Sequence, residues 1–156
     1  MGFIKEKANA KDERQAKDWK YLQDLGIKTI WGDLISPDFC NLVVDREKKY
    51  YLLALGRTNP NRDNAKISYY ALCIHDKVIY MEVDEQRSGS GSDNTYECHW
   101  MINKIEFPED WSFDLVGHAE LKRILREAFI TKTYTEVLTP EKVNSLTVDF
   151  DMVFGE

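Results

Sequence analysis

Residues 66–84 read KISYYALCIHDKVIYMEVD, and this stretch decides the fold. It holds two runs rich in β-branched and aromatic residues, 66–74 and 78–84, separated only by His75-Asp76-Lys77. A connection this short joins antiparallel strands in a tight hairpin, because parallel neighbours need a long crossover. The stretch therefore predicts a β-hairpin within an antiparallel sheet.

Further strand-like segments lie on both sides of the hairpin. They cover residues 39–44, 49–55 and 95–107, with polar or charged turns between them. A last segment, 146–154, alternates apolar and acidic residues, which is typical of a strand with one buried and one solvent-facing side. We predict an α+β fold in which an antiparallel β-meander sheet of five to six strands, mainly within residues 39–107, packs against one or two helices.

Two segments have the apolar spacing of amphipathic helices. Residues 9–25 form the first, and Gly26 follows where a left-handed C-cap residue is expected. Residues 114–130 form the second, with Asp114 as the expected N-cap. We expect five apolar side chains of the second helix to be buried on the sheet. They are Leu121, Ile124, Leu125, Ala128 and Phe129.

The composition fits a single domain spanning residues 1–156. Hydrophobic residues make up 43% and aromatic residues 12%, which supports a folded core and opposes wholesale disorder. Lys and Arg number 21 against 27 Asp and Glu, so the formal net charge is −6, which disfavours direct nucleic-acid binding. The chain starts without a secretory signal and contains no long apolar run, so we expect a cytosolic protein that does not enter membranes.

The cysteines and histidines show no pattern of a reactive or metal site. Cysteines occur at three widely separated positions, Cys40, Cys73 and Cys98, and are expected to be buried free thiols. Histidines occur at His75, His99 and His118, without the spacing of a helical or strand metal pair. We therefore expect no metal and no cofactor.

One short pattern resembles a nuclease motif. Pro37-Asp38 is followed by Glu47 and Lys49, and two carboxylates with a lysine can serve metal-assisted phosphodiester cleavage. The chemistry requires the second carboxylate and the lysine on one face of a strand, and the spacing of Glu47 and Lys49 satisfies this. However, Glu47 lies in a charged turn, and nothing nearby supplies the positive field that a nuclease needs. We interpret the pattern as a chance match and expect no catalytic residues.

Two acidic strand faces are the best candidates for a partner-binding surface. Glu82 and Asp84 lie two residues apart on the predicted fourth strand, and Asp149 and Asp151 do so on the last strand. Like charges at this spacing repel modestly, which points to a role outside the molecule. With neighbouring acidic and aromatic residues, the predicted partner-binding set is Tyr80, Glu82, Asp84, Glu85, Asp93, Tyr96, Asp149 and Asp151.

The order of elements between residues 66 and 130 has a counterpart in a known family. The hairpin at 69–80 is followed by a further strand, by Ile105-Glu106-Phe107-Pro108-Glu109-Asp110-Trp111, and by a helix that ends Leu125-Arg126-Glu127-Ala128-Phe129. This order resembles the small acidic immunity proteins that neutralise bacterial polymorphic toxins, including contact-dependent growth-inhibition toxins. The resemblance implies a cytosolic, non-enzymatic inhibitor of a cognate protein toxin domain, often a nuclease with a basic cleft.

A second interpretation is a small enzyme or small-ligand-binding protein with a pocket between the curved sheet and a helix. In it, Trp31, Trp100 and Trp111 line the cavity, and Glu82 or His99 performs acid–base chemistry. A deep pocket with a buried carboxylate or histidine favours this interpretation. A flat acidic face with exposed tyrosine favours the inhibitor.

Overall fold

The computed structural model of the protein describes residues 14–38, 40–58, 66–89, 96–136 and 143–149. Two helices and six strands occur there, in the order α1 (14–24), β1 (Leu42–Asp45), β2 (Tyr50–Thr58), β3 (Lys66–Ile74), β4 (Lys77–Gly89), β5 (Tyr96–Glu106), α2 (His118–Glu136) and β6 (Val143–Asp149).

The six strands form one sheet whose strand order follows the chain from β1 to β6. Neighbouring strands are antiparallel except β5 and β6, which are parallel. The parallel pair follows from α2, because a helix between two strands can return the chain to the same end of the sheet. The predicted α+β class is thus confirmed, and the last strand departs from a pure meander.

The predicted central hairpin is confirmed, but its turn has two residues instead of the predicted three, because Lys77 already belongs to β4. Ile74 pairs with Lys77, and His75 and Asp76 have φ values of 54° and 61°. Two consecutive positive φ values are typical of a type I′ turn, whose twist matches that of the strands it joins.

Alternate side chains of the strands point to opposite faces of the sheet. We call the face beneath α2 the inner face, and its core includes Leu72, Ile79 and Trp100. The five helix side chains predicted to pack there are buried, which confirms that prediction; they are Leu121, Ile124, Leu125, Ala128 and Phe129.

The chain before β1 covers part of the opposite, outer face. We call its described residues between 14 and 40 the N-terminal arm. Leu22 and Ile27 of the arm are fully buried in one cluster with Leu53 of β2 and Ala71 of β3. The arm therefore shields the outer face over β2 and β3.

The start of α2 lies four residues after the predicted start. Asp114 is not its N-cap, because α2 begins at His118 and Asp114 lies in the preceding turn, where its N–H donates to Ser112 Oγ at 3.1 Å. The carbonyl of Gly117 instead accepts the first helical hydrogen bond, from the N–H of Leu121 at 2.9 Å. The aromatic loop before α2 thus occupies the predicted first turn.

The remaining element ends also shift from the predicted ranges. α2 runs to Glu136 rather than to 130, because buried Thr133 extends the packed stripe through residues of low helix propensity. β6 begins three residues before the predicted 146–154. The predicted segments 9–13 and 150–154 lie outside the described residues.

Two smaller predictions are confirmed. Gly26 has a φ of +80° directly after α1, as its predicted C-cap conformation requires. The three cysteines are buried free thiols, and burial raises the pKa of the Cys73 thiol. In the described part of the chain, neither helix combines the length and apolar character that crossing a membrane requires.

Candidate functional site

The part of the outer face that the N-terminal arm does not cover is solvent-accessible and acidic. The described outward side chains of β4, β5 and β6 are exposed or half-buried, and none of them is buried. Among them are five carboxylates and one lysine, at Glu82, Asp84, Glu97, Glu106, Asp149 and Lys104. We call this surface, together with Tyr80, the acidic face.

Strand register joins the two predicted acidic groups into one surface. Asp84 is the Cα partner of Met101, and Met101 is the Cα partner of Asp149. Neighbouring strands lie about 4.8 Å apart, so Asp84 and Asp149 are about 10 Å apart on one face. Glu82 lies two residues before Asp84 and extends the same surface along β4.

A groove of about 300 Å³ borders the acidic face where it meets the N-terminal arm. Lys28 lines it from the arm, and Tyr80, Glu82 and Lys104 line it from the sheet. Tyr80 is 38% exposed. Partial burial, with the Glu106 carboxylate nearby, raises the pKa of Tyr80, so its hydroxyl remains a neutral donor at physiological pH.

The other predicted partner-binding residues have different positions. Glu85 lies on the inner face, is 3% exposed and accepts hydrogen bonds from Arg57, so it does not belong to the acidic face. Tyr96 begins β5, but its side chain is outside the described part of the structure. Asp93 and Asp151 lie outside the described residues.

The residues of the small-ligand interpretation are scattered. Trp31 of the arm is 66% exposed, Trp100 is fully buried on the inner face, and Trp111 lies half-buried in the loop before α2. Glu82 and His99 point to the outer face, so the sheet separates both from Trp100. These five side chains do not line one cavity.

The nuclease-like pattern does not assemble either. Glu47 and Lys49 lie in an exposed turn at 46–49, and Lys49 has a φ of 59°. They are therefore not two positions on one strand face. Within the described ranges, no group of three or more His, Cys, Asp or Glu side chains is placed to hold a metal ion.

Sequence reasoning missed a charged cluster on the inner face. It ended the second strand at residue 55, whereas β2 continues through Thr58 and includes Arg57. Two features of the sequence could have indicated this cluster. Glu85 continues the alternation of Met81 and Val83, and Lys132 follows the apolar stripe of α2.

The chain matches no family model, no curated protein and no solved structure. The geometry and charge of the described residues therefore provide the main support for the proposals that follow.

Proposed function

We propose that this chain is a cytosolic immunity protein that binds a cognate protein toxin domain through the acidic face and thereby neutralises it. The proposal rests on the register of three neighbouring strands, in which Met101 of β5 pairs with Asp84 of β4 on one side and with Asp149 of β6 on the other. This register brings negative charge from separate strands together on one face, whose described side chains are exposed or half-buried. Such a surface complements the basic cleft of a nuclease toxin.

Charge of one sign on a docking surface acts mainly on the association rate. It steers an oppositely charged protein during diffusional encounter and opposes partners of the same charge. The five carboxylates against one lysine also repel phosphate backbones, so a basic protein is favoured over a nucleic acid as the partner.

Tyr80 and the groove supply a contact surface beside the charges. Tyrosine is enriched at protein interfaces because its ring covers apolar area while its hydroxyl donates a hydrogen bond. Tyr80 of the sheet and Lys28 of the arm both line the groove, so a partner loop that enters it could contact the arm and the sheet together. The strands hold these side chains on a regular frame, which limits the entropy lost on binding.

The experiment measures binding kinetics between the purified chain and the product of the gene adjacent to its own. Asp84→Lys and Asp149→Lys are compared with Glu47→Lys, which makes the same charge change in the exposed turn before β2. We expect each acidic-face variant to slow association severalfold, up to about tenfold, and Glu47→Lys to have a smaller effect. Association of the unmodified chain should also slow as salt rises.

Circular dichroism of each variant checks that folding is intact. If binding occurs but neither acidic-face variant nor salt alters the association rate, electrostatic complementarity is wrong, and Tyr80→Ala then tests an aromatic interface. Absence of any binding to the neighbouring gene product would remove the support for an immunity function.

A further inference from the structure

The N-terminal arm presents a large apolar surface to solvent in the segment 28–34, which we call the indole loop. Trp31 is 66% exposed, the highest value among the large apolar side chains that the structure describes, and Leu34 is 50% exposed. An aromatic side chain removes about 150–250 Å² from water when it is buried. The exposed indole therefore leaves a large apolar area available to a partner.

Hydrogen bonds hold the indole loop in one shape. The Thr29 N–H donates to the Asp33 carbonyl at 2.8 Å, and the Thr29 hydroxyl oxygen accepts from the N–H groups of Trp31 and Asp33 at 3.3 and 3.2 Å. Ile27 and Ile35, on either side of the loop, are fully buried. The loop is thus formed before a partner binds, which limits the entropy lost when the partner contacts Trp31.

A β-bulge in β2 lets the indole loop pack against the sheet. The pairing of β2 with β3 shifts between Ala54 and Gly56, so one extra residue enters β2. Gly56 then lies on the outer face and Arg57 on the inner face. A Cβ on Gly56 would lie 2.6 Å from Ile30 Cγ1 and 3.1 Å from Trp31 Cη2. Glycine at this position therefore permits direct contact between the loop and the β2 backbone.

The indole loop and the acidic face belong to one continuous surface. Gly56, which the indole approaches, pairs with Tyr69 of β3, and Tyr69 pairs with Glu82 of β4. Neighbouring strands lie about 4.8 Å apart, so Gly56 and Glu82 are about 10 Å apart across the sheet. Leu34 is the Cα partner of Lys28, which lines the groove between them. A protein interface of ordinary size, about 800 Å² on each partner, covers both regions.

We propose that the indole loop is the apolar anchor of the interface that the acidic face forms with the toxin domain. Trp31 and Leu34 enter an apolar pocket of the toxin domain, and basic residues beside that pocket pair with the carboxylates of the acidic face. This role rests on the proposed function and defines the partner more closely, as a basic surface that carries an apolar pocket. Tryptophan is enriched among the few residues that contribute most of the affinity of protein interfaces.

The two parts of this surface should act on different rate constants. Charges attract the partner before contact, so the acidic face acts mainly on association. Apolar contacts form only in the docked complex, so the indole loop acts mainly on dissociation. Loss of the indole should therefore speed dissociation and leave association almost unchanged.

The test measures both rate constants by surface plasmon resonance, with the purified chain and the product of the gene adjacent to its own. We expect Trp31→Ala to raise the dissociation rate constant about tenfold or more and to change the association rate constant less than about twofold. Trp31→Phe retains part of the apolar area and should speed dissociation less than Trp31→Ala does. Leu34→Ala should speed dissociation about three- to tenfold.

Leu115→Ala is the matched control for Leu34→Ala. Leu115 is 44% exposed but lies in the loop before α2, away from the acidic face. It should leave both rate constants unchanged. Because Trp31 and Leu34 are exposed, their variants should fold, and circular dichroism checks this.

A second measurement follows the indole itself. The chain contains four tryptophans, and after labelling with 5-fluorotryptophan the fluorine NMR resonance that is missing from Trp31→Phe belongs to Trp31. Addition of the unlabelled neighbouring gene product should shift this resonance and remove its dependence on exchange of H2O for D2O, because the partner excludes water from the indole.

The outcomes separate the anchor from the proposed function. If Asp84→Lys slows association but Trp31→Ala leaves dissociation unchanged, the anchor is wrong and the immunity function stands. A Trp31 resonance that keeps its solvent dependence in the complex also overturns the anchor alone. If the neighbouring gene product does not bind at all, the anchor and the proposed function are both overturned.

Discussion

Tyr50 and Tyr51 are neighbours on β2, yet their side chains lie on opposite faces of the sheet. We call the elements that pack on these faces its two covers: α2 on the inner face and the N-terminal arm on the outer face. Tyr50 points to the inner face and is 1% exposed, and burial, with Glu127 and Asp45 nearby, raises its pKa to about 12. Tyr51 points to the outer face, where its hydroxyl donates to Asp18 at 3.4 Å. One cover is a regular helix over an apolar core, and the other is an irregular arm with polar attachments.

The polar attachments show how the arm holds its position. Arg46 Nη2 lies 2.6 Å from an oxygen of Asp18, whose side chain is only 6% exposed. The Tyr21 hydroxyl donates to Asp76 in the central hairpin at 2.5 Å. These directional contacts attach the arm to the sheet beside the apolar cluster that contains Leu22 and Ile27. The arm shields β2 and β3, which leaves the outer face of β4 to β6 for charged side chains.

The largest expected effect comes from removing matched leucines under the two covers. Leu125 of α2 and Leu22 of the arm are both fully buried. Leu125→Ala should lower the free energy of unfolding by about 3–5 kcal/mol, because the aromatic core around it cannot collapse into the cavity. Leu22→Ala should lower it by about 2–3 kcal/mol, since the arm can relax. Urea denaturation measures both values.

Arg123→Ala is the control for Leu125→Ala, because Arg123 is exposed on the same helix. Its effect should stay within about 0.5 kcal/mol. A larger loss for Leu22→Ala than for Leu125→Ala would reverse the comparison and make the arm the more tightly packed cover.

A smaller effect is expected for the polar attachment of the arm. Asp18→Asn removes the charge that Arg46 and Tyr51 contact, and it should cost about 1–3 kcal/mol because the group is buried. Asp24→Asn is the matched control on the same helix. Asp24 is exposed and forms an exposed ion pair with Lys20 at 3.5 Å, so the change should stay within about 0.5 kcal/mol. Equal values for the two variants would show that burial adds nothing to the attachment of the arm.

The smallest expected effect is on the pH dependence of stability, through Tyr50 on the inner face. The pKa of Tyr50 is about 12 in the folded protein and about 10 in the unfolded chain, so its contribution is present below pH 10 and is lost as pH rises towards 12. When the pH is raised from about 9 to 11, the free energy of unfolding should fall by about 1 kcal/mol less for Tyr50→Phe than for the unmodified chain. Urea denaturation at both pH values tests this. Identical pH dependence in the two proteins would contradict the burial of this hydroxyl.

Local patterns were sufficient for much of the fold. The short spacer His75-Asp76-Lys77 predicted the central hairpin, and the apolar stripe from Leu121 to Phe129 predicted the buried side of α2. The ends of α2 could not be predicted, because an aromatic turn competes with the helix before Gly117 and tertiary packing extends it past 130.

The candidate sites divide in the same way. The i, i+2 spacing of Glu82 and Asp84 identified an acidic strand face, and alternation along β4 also carried the signal that Glu85 faces inward. No local pattern indicated that Asp149 would join that acidic face. The parallel register of β6 with β5 decides this, and it depends on where α2 returns the chain.

The sequence by itself determined the strands, the main hairpin, the amphipathic stripe of α2 and the acidic character of the chain, because each depends on residues close together along the backbone. Only the tertiary structure decided the parallel pairing of β6 and the bulge that directs Arg57 towards Glu85. It also decided the distance of about 10 Å that separates Asp84 from Asp149 across β5. These features arise from contacts between distant segments, whose register depends on how the helix, the arm and the sheet pack together.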